Sequence, residues 1–430
     1  MYKKITLAAL LGLHLALLAN LLFTAWPEMV LWPYLMLHNW KPYQDIAIVH
    51  TPILLAELTA FYNIVGVGVT QLKIFTWFYI LVTDVLLYWV VKKLFNQTKA
   101  VISLAVFITL SLIYQINGMW FDVALIPLAI LIYYCLKTKK YLWVGILWAI
   151  AFFTKQTAFW FLIPMGIQVL MDTKRDLGKI MLGTVSTSLV IITVLFLMNV
   201  LPGFYYWAIN FGIFYLPHAP GQVVLPSLRE LLAAGFPFAI LLPYIFLFKK
   251  KIDLALVTWT LFAALGAYPR WELFHLLPAM PFLAILISEV LVFKRNKYVK
   301  VLFLLGLAFL LGRFISRNWT RVVRFYEPSV QTLAADIKSL ENTKNIYVVN
   351  YWDSLYAFSD SFPAIKPWLP TLSWYWNYQD SGAKLVGKLK INPPEVIVVG
   401  DIPSADLGLF IDRYYSLEKT EQGIKIYTRN

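Results

Sequence analysis

Eight polar side chains in this sequence have the chemistry needed for acid–base catalysis and for binding a phosphate. A carboxylate can accept a proton from a hydroxyl group, and a lysine or arginine can neutralise a phosphate that leaves a reacting carbon. The eight residues are Glu28, Asp45, His50, Asp122, Lys155, Arg270, Glu272 and His275. The sequence contains no metal-ligand spacing, no glycine-rich phosphate loop and no nucleophile elbow. These residues can therefore act together only if the fold brings them to one surface.

The composition indicates that transmembrane helices position these residues. Of the 430 residues, 60% are hydrophobic and 14% are charged, and the mean hydropathy is +0.68. A soluble domain cannot bury so large an apolar fraction. Apolar runs long enough to cross about 30 Å of hydrocarbon recur along the first three quarters of the chain. We therefore predict an all-α polytopic membrane bundle.

Clusters of basic residues predict the topology, because such clusters concentrate on the cytoplasmic side of a membrane. Between consecutive clusters the chain must leave and return, and a final span at about residues 299–313 brings the predicted total to about eleven transmembrane helices. The N-terminus is predicted to be cytoplasmic and the protein to lie in the plasma membrane. The clusters are Lys3 and Lys4; Lys92, Lys93 and Lys99; Lys137, Lys139 and Lys140; Lys174, Arg175 and Lys179; Lys249 to Lys251; and Lys294, Arg295, Lys297 and Lys300.

The net charge of +14 does not indicate a nucleic-acid partner, because the basic residues lie at the ends of apolar runs. The expected partner is membrane lipid. The single cysteine, Cys135, lies inside a predicted span, so no intramolecular disulfide can form.

Two domains are predicted. Residues 1–324 form the transmembrane domain, with an extracytoplasmic first loop of about residues 26–70. Residues 325–430 form a small extracytoplasmic α/β domain, because the runs at 346–349 and 396–399 read as buried strands, each followed by a possible helix.

The arginines that follow the last span oppose the positive-inside bias: either they bind an anion outside, or the tail is cytoplasmic. We expect the tail outside, because early helices usually dominate topology. The arginines are Arg313, Arg317, Arg321 and Arg324.

Lys155 lies at an unusual place in the predicted topology. Only about thirty residues separate two basic clusters here, enough for two spans of about fifteen residues, and Lys155 falls at the outer tip of this short hairpin. An ionisable group at membrane depth is costly and indicates a functional site. The alternative is a lysine that extends to the outer lipid headgroups.

This topology places all eight polar residues at one membrane surface. The first loop supplies Glu28, Asp45 and His50, the loop before the fourth span supplies Asp122, the hairpin tip supplies Lys155, and the loop after the ninth span supplies Arg270, Glu272 and His275. Such a site suits a reaction between a lipid phosphate held by cations and an acceptor hydroxyl that a carboxylate deprotonates or orients. An aromatic tail segment at 367–376 is expected to pack on the bundle, to cover the mouth of the site or to bind glycan.

Three local patterns resemble the membrane glycosyltransferases of the GT-C class, near the bacterial protein O-mannosyltransferases and aminoarabinose transferases. The first is Glu28 followed by Pro-Tyr-Gln-Asp at 42–45 and His-Thr-Pro at 50–52. The second is the run from Gly145 to Thr157, which ends in Thr-Lys-Gln-Thr. The third is Tyr-Pro-Arg-Trp-Glu-Leu-Phe-His-Leu-Leu-Pro at 268–278.

The resemblance implies an inverting transfer of a sugar from a polyprenyl-phosphate co-substrate to a glycan, lipid or protein acceptor. Glu28 or Asp45 would accept the proton, and Lys155 and Arg270 would bind the donor phosphate. The residues that would orient the substrates are His50, Asp122, Glu272 and His275. The sequence leaves the need for a cofactor open: a divalent cation, Mg²⁺ or Mn²⁺, could bridge Glu28, Asp45 and Asp122.

Two features depart from the usual pattern of the class and leave the identity of the base open. Glu28 stands alone where a pair of acidic residues is common, and Gln44 replaces an arginine. The alternative to a transferase is a transporter or flippase of a lipid-linked sugar, which would show inverted repeats and mid-membrane charges. A ligase of whole glycans or a scaffold has no distinguishing feature here.

Overall fold

The structure is a computed structural model that describes the chain except residues 1, 173–175, 220, 249–251, 294–296, 341–343 and 371–380. Its first three quarters form a bundle of apolar helices. These are α1 (Tyr2–Asn20), α2 (Pro27–Leu37), α3 (Ile53–Val65), α4 (Val69–Leu94), α5 (Gln97–Ile113), α6 (Phe121–Lys137), α7 (Tyr141–Thr154), α8 (Leu162–Asp172), α9 (Leu177–Leu197), α10 (Leu201–Phe204), α11 (Leu228–Gly235), α12 (Leu241–Phe248), α13 (Leu254–Ala263), α14 (Met280–Val292) and α15 (Lys297–Asn318). A π-helical stretch, Tyr205–Tyr215, continues α10.

Within the described residues, five helical stretches are long and apolar enough to cross a membrane. They are Val69–Leu94, Leu177–Leu197, Leu228–Phe246, Leu273–Val292 and Lys297–Asn318. Shorter apolar helices, among them Gln97–Ile113 and Tyr141–Thr154, pack between them. The prediction of a helical membrane bundle is confirmed, whereas the total of eleven spans stays a prediction.

The C-terminal part forms a small mixed sheet. Its strands are β3 (Asn345–Val349), β4 (Phe362–Pro363), β5 (Val396–Val399), β6 (Tyr415–Glu421) and β7 (Ile424–Arg429), in the order β4-β3-β5-β7-β6. The helices beside it are α16 (Pro328–Ser339), α17 (Leu355–Phe358), α18 (Ser381–Ile391) and α19 (Ala405–Tyr414). The two predicted strands pair in parallel, with Ile346 opposite Val396 and Val349 opposite Val399.

The sheet and the bundle share one apolar core. Ile346 and Val348 on one face of β3 belong to the same buried cluster as the helices, whereas Tyr347 and Val349 on the other face join a separate cluster with α18 and α19. Alternate residues of a strand point to opposite faces, so this division follows from the pleat. A second link is a short parallel pair of β1 (Phe23–Thr24) and β2 (Val323–Arg324). These contacts fix the C-terminal part against the start of the first loop.

Close contact between α7 and α9 determines where the hairpin tip lies. A Cβ atom on Gly145 would lie 2.0 Å from the Ile180 carbonyl oxygen, and one on Gly183 would lie 2.3 Å from the Leu142 carbonyl oxygen. Only glycine allows the two backbones to approach this closely. The first half of α7, the helix that ends just before Lys155, is therefore held against α9 by a backbone contact.

Part of the predicted aromatic tail segment packs on the bundle. The Trp368 amide donates to the Asp45 carbonyl oxygen at 2.8 Å, and the Ala47 amide donates to the Trp368 carbonyl oxygen at 2.9 Å. The rest of that segment, 371–376, lies outside the described residues, as do the basic residues Lys174, Arg175, Lys249 to Lys251, Lys294 and Arg295.

Candidate active site

A cavity of about 430 Å³ lies between the helical bundle and the C-terminal sheet. Six of the eight residues predicted from the sequence line it: Glu28, His50, Lys155, Arg270, Glu272 and His275. Asp122 lies immediately behind this wall, in contact with Lys155 and His275. Asp45 does not line the cavity.

Three residues from distant parts of the sequence form a compact group at the base of the cavity. Lys155 Nζ donates to Asp122 Oδ2 at 2.5 Å, and His275 Nδ1 lies 2.7 Å from the same oxygen. Lys155 Nζ and His275 Nδ1 are 3.2 Å apart. Asp122 is 0% exposed and Lys155 is 5% exposed, so the carboxylate is a buried counter-ion for the ammonium group. Asp122 thereby fixes the positions of both cavity-facing side chains.

The backbone changes conformation at each member of this group. Asp122 lies in the first turn of α6, where the helix dipole favours a negative charge. At Lys155 α7 ends, because this residue is extended (φ −153°, ψ 134°) and a 3₁₀ helix, Gln156–Phe161, follows. His275 lies in another 3₁₀ segment, Leu273–Ala279, just before α14. All three side chains therefore lie where a helix begins or ends.

Gln156 ties the hairpin tip to its surroundings. Its Nε2 donates to the Val49 carbonyl oxygen at 2.7 Å and to the Ala208 carbonyl oxygen at 2.9 Å. One amide thus joins the hairpin, the first loop and the π-helical stretch. The Thr-Lys-Gln sequence therefore supplies a charged group and the side chain that anchors its backbone.

His50 is a neutral member of the cavity wall. Its ring lies 4.1 Å from the Phe121 ring and 5.6 Å from the Trp120 ring, measured between centroids. Burial, with the positive charge of Lys155 as a further cause, lowers the pKa of His50 to about 3. At neutral pH His50 can form hydrogen bonds but adds no charge to the cavity.

Glu28 faces the cavity from the start of α2. Pro27 occupies the first turn of that helix, where a missing N–H costs nothing, and Glu28 follows it. Burial raises the pKa of Glu28, although its own backbone amide and the charge of Arg270 oppose that shift. Its Oε2 atom is buried and has no hydrogen-bond partner among the described residues. A carboxylate with a raised pKa and an open oxygen is suited to accept a proton.

Arg270 is the second cation of the cavity. Its Nη1 lies 3.5 Å from Gln222 Oε1 and its Nε lies 3.9 Å from Glu272 Oε1. The side chain is 48% exposed, in contrast to the buried Lys155. The segment that carries it is held by backbone bonds to Val224, which accepts from the Trp271 amide at 2.9 Å. Both cations line the cavity, and one of them remains accessible to a large ligand.

Asp45 has a different environment from the one expected. Its Oδ2 accepts from Lys366 Nζ at 3.1 Å and from the Lys41 amide at 2.9 Å. Lys366 in turn lies over the Trp40 ring, 4.3 Å from its centroid. Asp45 therefore caps a turn and joins the first loop to the C-terminal part, away from the cavity.

The structure does not assemble the metal site that the sequence allowed. Among the described residues, no three His, Cys, Asp or Glu side chains are arranged to hold a metal ion. Asp45 is paired with Lys366, and Asp122 is paired with Lys155 and His275, so neither shares an open site with Glu28. The bridging of Glu28, Asp45 and Asp122 by one cation does not fit this arrangement.

Sequence reasoning missed the contribution of the turn after β3 to the cavity. Tyr351, Trp352 and Asp353, in the turn after β3, line the cavity opposite the bundle. A usable signal was present, because functional groups commonly follow the carboxyl ends of parallel strands. Aromatic rings complete this wall: the Trp26 ring lies 5.4 Å from that of Phe325, which lies 4.6 Å from that of Trp352.

Comparisons with known proteins agree with this architecture. Residues 49–202, less than half of the chain, match the family model described as dolichyl-phosphate-mannose-protein mannosyltransferase. This stretch includes His50, Asp122 and Lys155. No curated protein matches the sequence.

Solved structures match over almost the whole chain. ArnT from Cupriavidus metallidurans bound to undecaprenyl phosphate is 12% identical, with a TM-score of 0.67 over 99% of this chain and 97% of that one. Its apo form gives a TM-score of 0.68. The archaeal oligosaccharyltransferase AglB from Archaeoglobus fulgidus, in complex with an inhibitory peptide and a dolichol-phosphate, is 14% identical, with a TM-score of 0.57 over 100% of this chain and 74% of that one. The resemblance to the GT-C class is confirmed, and the fold is shared with these proteins.

Proposed function

We propose that this protein is an integral membrane glycosyltransferase that moves a sugar, with inversion, from a polyprenyl-phosphate donor to an acceptor at the extracytoplasmic face. The observation that carries the proposal is one cavity that holds two cations, Lys155 and Arg270, together with a carboxylate, Glu28, whose Oε2 has no partner among the described residues. The family match and the solved structures with undecaprenyl phosphate and dolichol-phosphate support the same donor class.

The cations bind the donor phosphate. Lys155 is held by Asp122 through one of its protons, so its other N–H groups are available to face the cavity. Arg270 adds a planar group that can bind two phosphate oxygens at once. Such charges stabilise the negative charge that develops on the leaving phosphate. His275, oriented by Asp122, and the neutral His50 supply further hydrogen bonds to the donor.

Glu28 is the proposed base. The acceptor oxygen attacks the anomeric carbon from the face opposite the phosphate, and the bond between this carbon and the phosphate oxygen breaks. The bonding electrons remain on the polyprenyl phosphate, while the acceptor's proton passes to Glu28. The raised pKa of Glu28 favours this transfer, because it makes the carboxylate a stronger base. Asp45 is paired with Lys366 outside the cavity and is assigned to the junction with the C-terminal part.

The proposed topology has about eleven spans in the plasma membrane, with a cytoplasmic N-terminus. Residues 325–430 form an extracytoplasmic domain that closes the cavity. The positions of the basic clusters support this orientation. Membrane lipid, the lipid-linked donor and a glycan, lipid or protein acceptor are the proposed partners.

A flippase of lipid-linked sugars is the second candidate, because it would bind the same donor. Two features favour the transferase. The two cations that could bind the donor phosphate, Lys155 and Arg270, line one cavity at one end of the bundle, and Glu28 in the same cavity supplies a base that transport does not need. A flippase would require ionisable groups along a path through the membrane.

The test is sugar transfer by the purified protein in lipid, with polyprenyl phosphates that carry radiolabelled mannose or other sugars. Membrane lipid, membrane protein and soluble glycan are offered separately as acceptors. We expect wild type to label one fraction, Glu28→Gln and Lys155→Ala to be inactive, and Asp45→Asn to remain active as the matched carboxylate control. Movement of intact donor across the bilayer without transfer would replace this proposal with the flippase.

A further inference from the structure

The C-terminal part contributes a carboxyl group to the cavity. Asp353 lies in the turn between β3 and α17, beside Trp352, and lines the cavity that Glu28 also lines. Its position is fixed, because its carbonyl oxygen accepts from the Tyr356 amide at 3.2 Å and the Trp352 ring packs on that of Phe325. The carboxyl group is therefore held in the wall by the backbone of the first turn of α17.

Two carboxyl oxygens in this cavity lack hydrogen-bond partners among the described residues. They are Asp353 Oδ1 and Glu28 Oε2, both buried, and Asp353 as a whole is 9% exposed. Buried polar atoms of native proteins almost always have a partner. Two such oxygens on residues that line one cavity indicate a ligand that offers them a hydrogen-bond donor.

The electrostatics of the pair agree with a hydroxyl ligand. Burial raises the pKa of Asp353 well above its usual range, and the charge of Glu28 raises it further. The raised pKa favours a protonated Asp353, which can donate a hydrogen bond, beside a Glu28 carboxylate that can accept one. The pair thus presents one donor and one acceptor. A hydroxyl group, which both donates and accepts, matches this arrangement, whereas a phosphate would be repelled by the remaining charge.

We propose that Asp353 and Glu28 together bind the hydroxyl of the acceptor, so that the C-terminal domain builds the acceptor half of the active site. This inference rests on the proposed transferase function. During transfer the acceptor oxygen forms its bond to the anomeric carbon, the phosphate leaves with the bonding electrons, and the acceptor's proton remains on the carboxyl pair. Asp353 accordingly acts on the acceptor, and Lys155 and Arg270 act on the donor.

A hydroxyl of the donor sugar could form the same hydrogen bonds as the hydroxyl of the acceptor. The experiment distinguishes these two possible ligands of Asp353. The variants are Asp353→Ala, Asp353→Asn and the control Asp401→Ala, whose exposed carboxylate follows the neighbouring strand β5 and lies outside the cavity. Two quantities are measured for each variant in lipid. One is the affinity for undecaprenyl phosphate, and the other is the KM for the labelled donor and for the acceptor fraction that wild type labels.

We expect Asp353→Ala to raise the acceptor KM, or to lower kcat/KM for the acceptor, by roughly ten- to a hundredfold, as for the loss of a hydrogen bond to a charged group. Donor KM and undecaprenyl phosphate affinity should stay within about twofold, the scatter expected when no contact is lost. Asp353→Asn should recover part of the loss, because its amide can still donate.

Four results would overturn the assignment. Asp353→Ala could behave like Asp401→Ala, or it could raise the donor KM instead, which would assign the carboxyl to the donor sugar. Asp353→Ala could be unable to bind undecaprenyl phosphate because it is misfolded. The acceptor KM of Asp353→Asn is then the deciding measurement, and a value equal to that of wild type refutes the role of Asp353 in acceptor binding. Absence of transfer by wild type, with undecaprenyl phosphate still bound, would instead refute the transferase function and this inference with it.

Discussion

Lys155 Nζ lies 2.5 Å from Asp122 Oδ2, and both side chains are buried although the lysine ends one helix and the aspartate begins another. A buried ammonium group is stable only with a counter-ion, and the aspartate provides one without occupying the cavity. His275 Nδ1 shares the same oxygen at 2.7 Å. One carboxylate therefore fixes two groups that face the proposed donor.

The variant Asp122→Asn tests this arrangement. It leaves Lys155 buried without a compensating charge, so we expect a loss of stability of about 3–5 kcal/mol, typical of a broken buried ion pair. Undecaprenyl phosphate should also bind more weakly, because Lys155 and His275 lose their orientation. Thermal unfolding in detergent and a binding assay measure the two effects.

The matched control for Asp122→Asn is Glu289→Gln, which breaks the Lys99–Glu289 pair, whose side chains are 19% and 12% exposed. This pair lies outside the cavity, so phosphate affinity should not change. If Asp122→Asn and Glu289→Gln gave the same phosphate affinity, Asp122 would have no positioning role.

The pH dependence of transfer should report Glu28. This carboxylate must be ionised to accept a proton, so activity falls as the pH drops through its pKa. Because burial raises that pKa, the acid limb of kcat/KM should lie at a higher pH than an ordinary glutamate would give. The charge of Arg270 lowers the pKa of Glu28, so Arg270→Gln should move the limb to still higher pH as well as weaken phosphate binding.

Arg229→Gln is the control for that shift, because Arg229 is an exposed arginine of α11 outside the cavity. It should leave the profile of wild type unchanged. His50 should contribute no step near neutral pH, because its pKa is about 3. An acid limb that does not respond to Arg270→Gln would argue against Glu28 as the base.

Asp45 and Lys366 should affect stability and not chemistry. Their side chains are 18% and 48% exposed and their charged atoms are 3.1 Å apart, so the pair should contribute about 1 kcal/mol or less. We expect Asp45→Asn, Lys366→Gln and the double variant to keep the kcat of wild type. A double-mutant cycle on the unfolding free energy measures the pair. A loss of transfer in Asp45→Asn alone, with the fold intact, would return Asp45 to the list of candidate bases.

The sequence predicted many of the residues that line the cavity, because charge in a membrane protein is informative. Basic clusters indicate which helix ends lie on the same side of the membrane. The sequence alone therefore placed four residues at one membrane surface: Glu28, Lys155, Arg270 and His275. Charged groups among apolar helices are costly, and few of them occur without a function. The cavity contains all four of these residues.

The contacts between the two parts of the chain could not be predicted in the same way. Asp45 pairs with Lys366 outside the cavity, and the two residues are 321 positions apart in the sequence. No local sequence pattern predicts such a partner. Asp353 reaches the cavity because one face of β3 packs on the bundle. An apolar strand indicates that it is buried, but not against which surface. The position of Asp353 in the cavity therefore could not be predicted from the sequence.

The glycine contact between α7 and α9 leads to a prediction about Lys155. A Cβ at position 145 would lie 2.0 Å from the Ile180 carbonyl oxygen, so Gly145→Ala must push the helices apart. We expect a loss of about 1–3 kcal/mol from this overpacking. Because Lys155 follows the last residue of α7, its distance to Asp122 should change and transfer should slow. The control is Gly178→Ala on α9, where a Cβ has nothing within 4 Å and should add helix stability. Thermal unfolding and kcat are measured for both variants. Equal stability and equal kcat in Gly145→Ala and Gly178→Ala would show that the glycine contact does not position the hairpin tip.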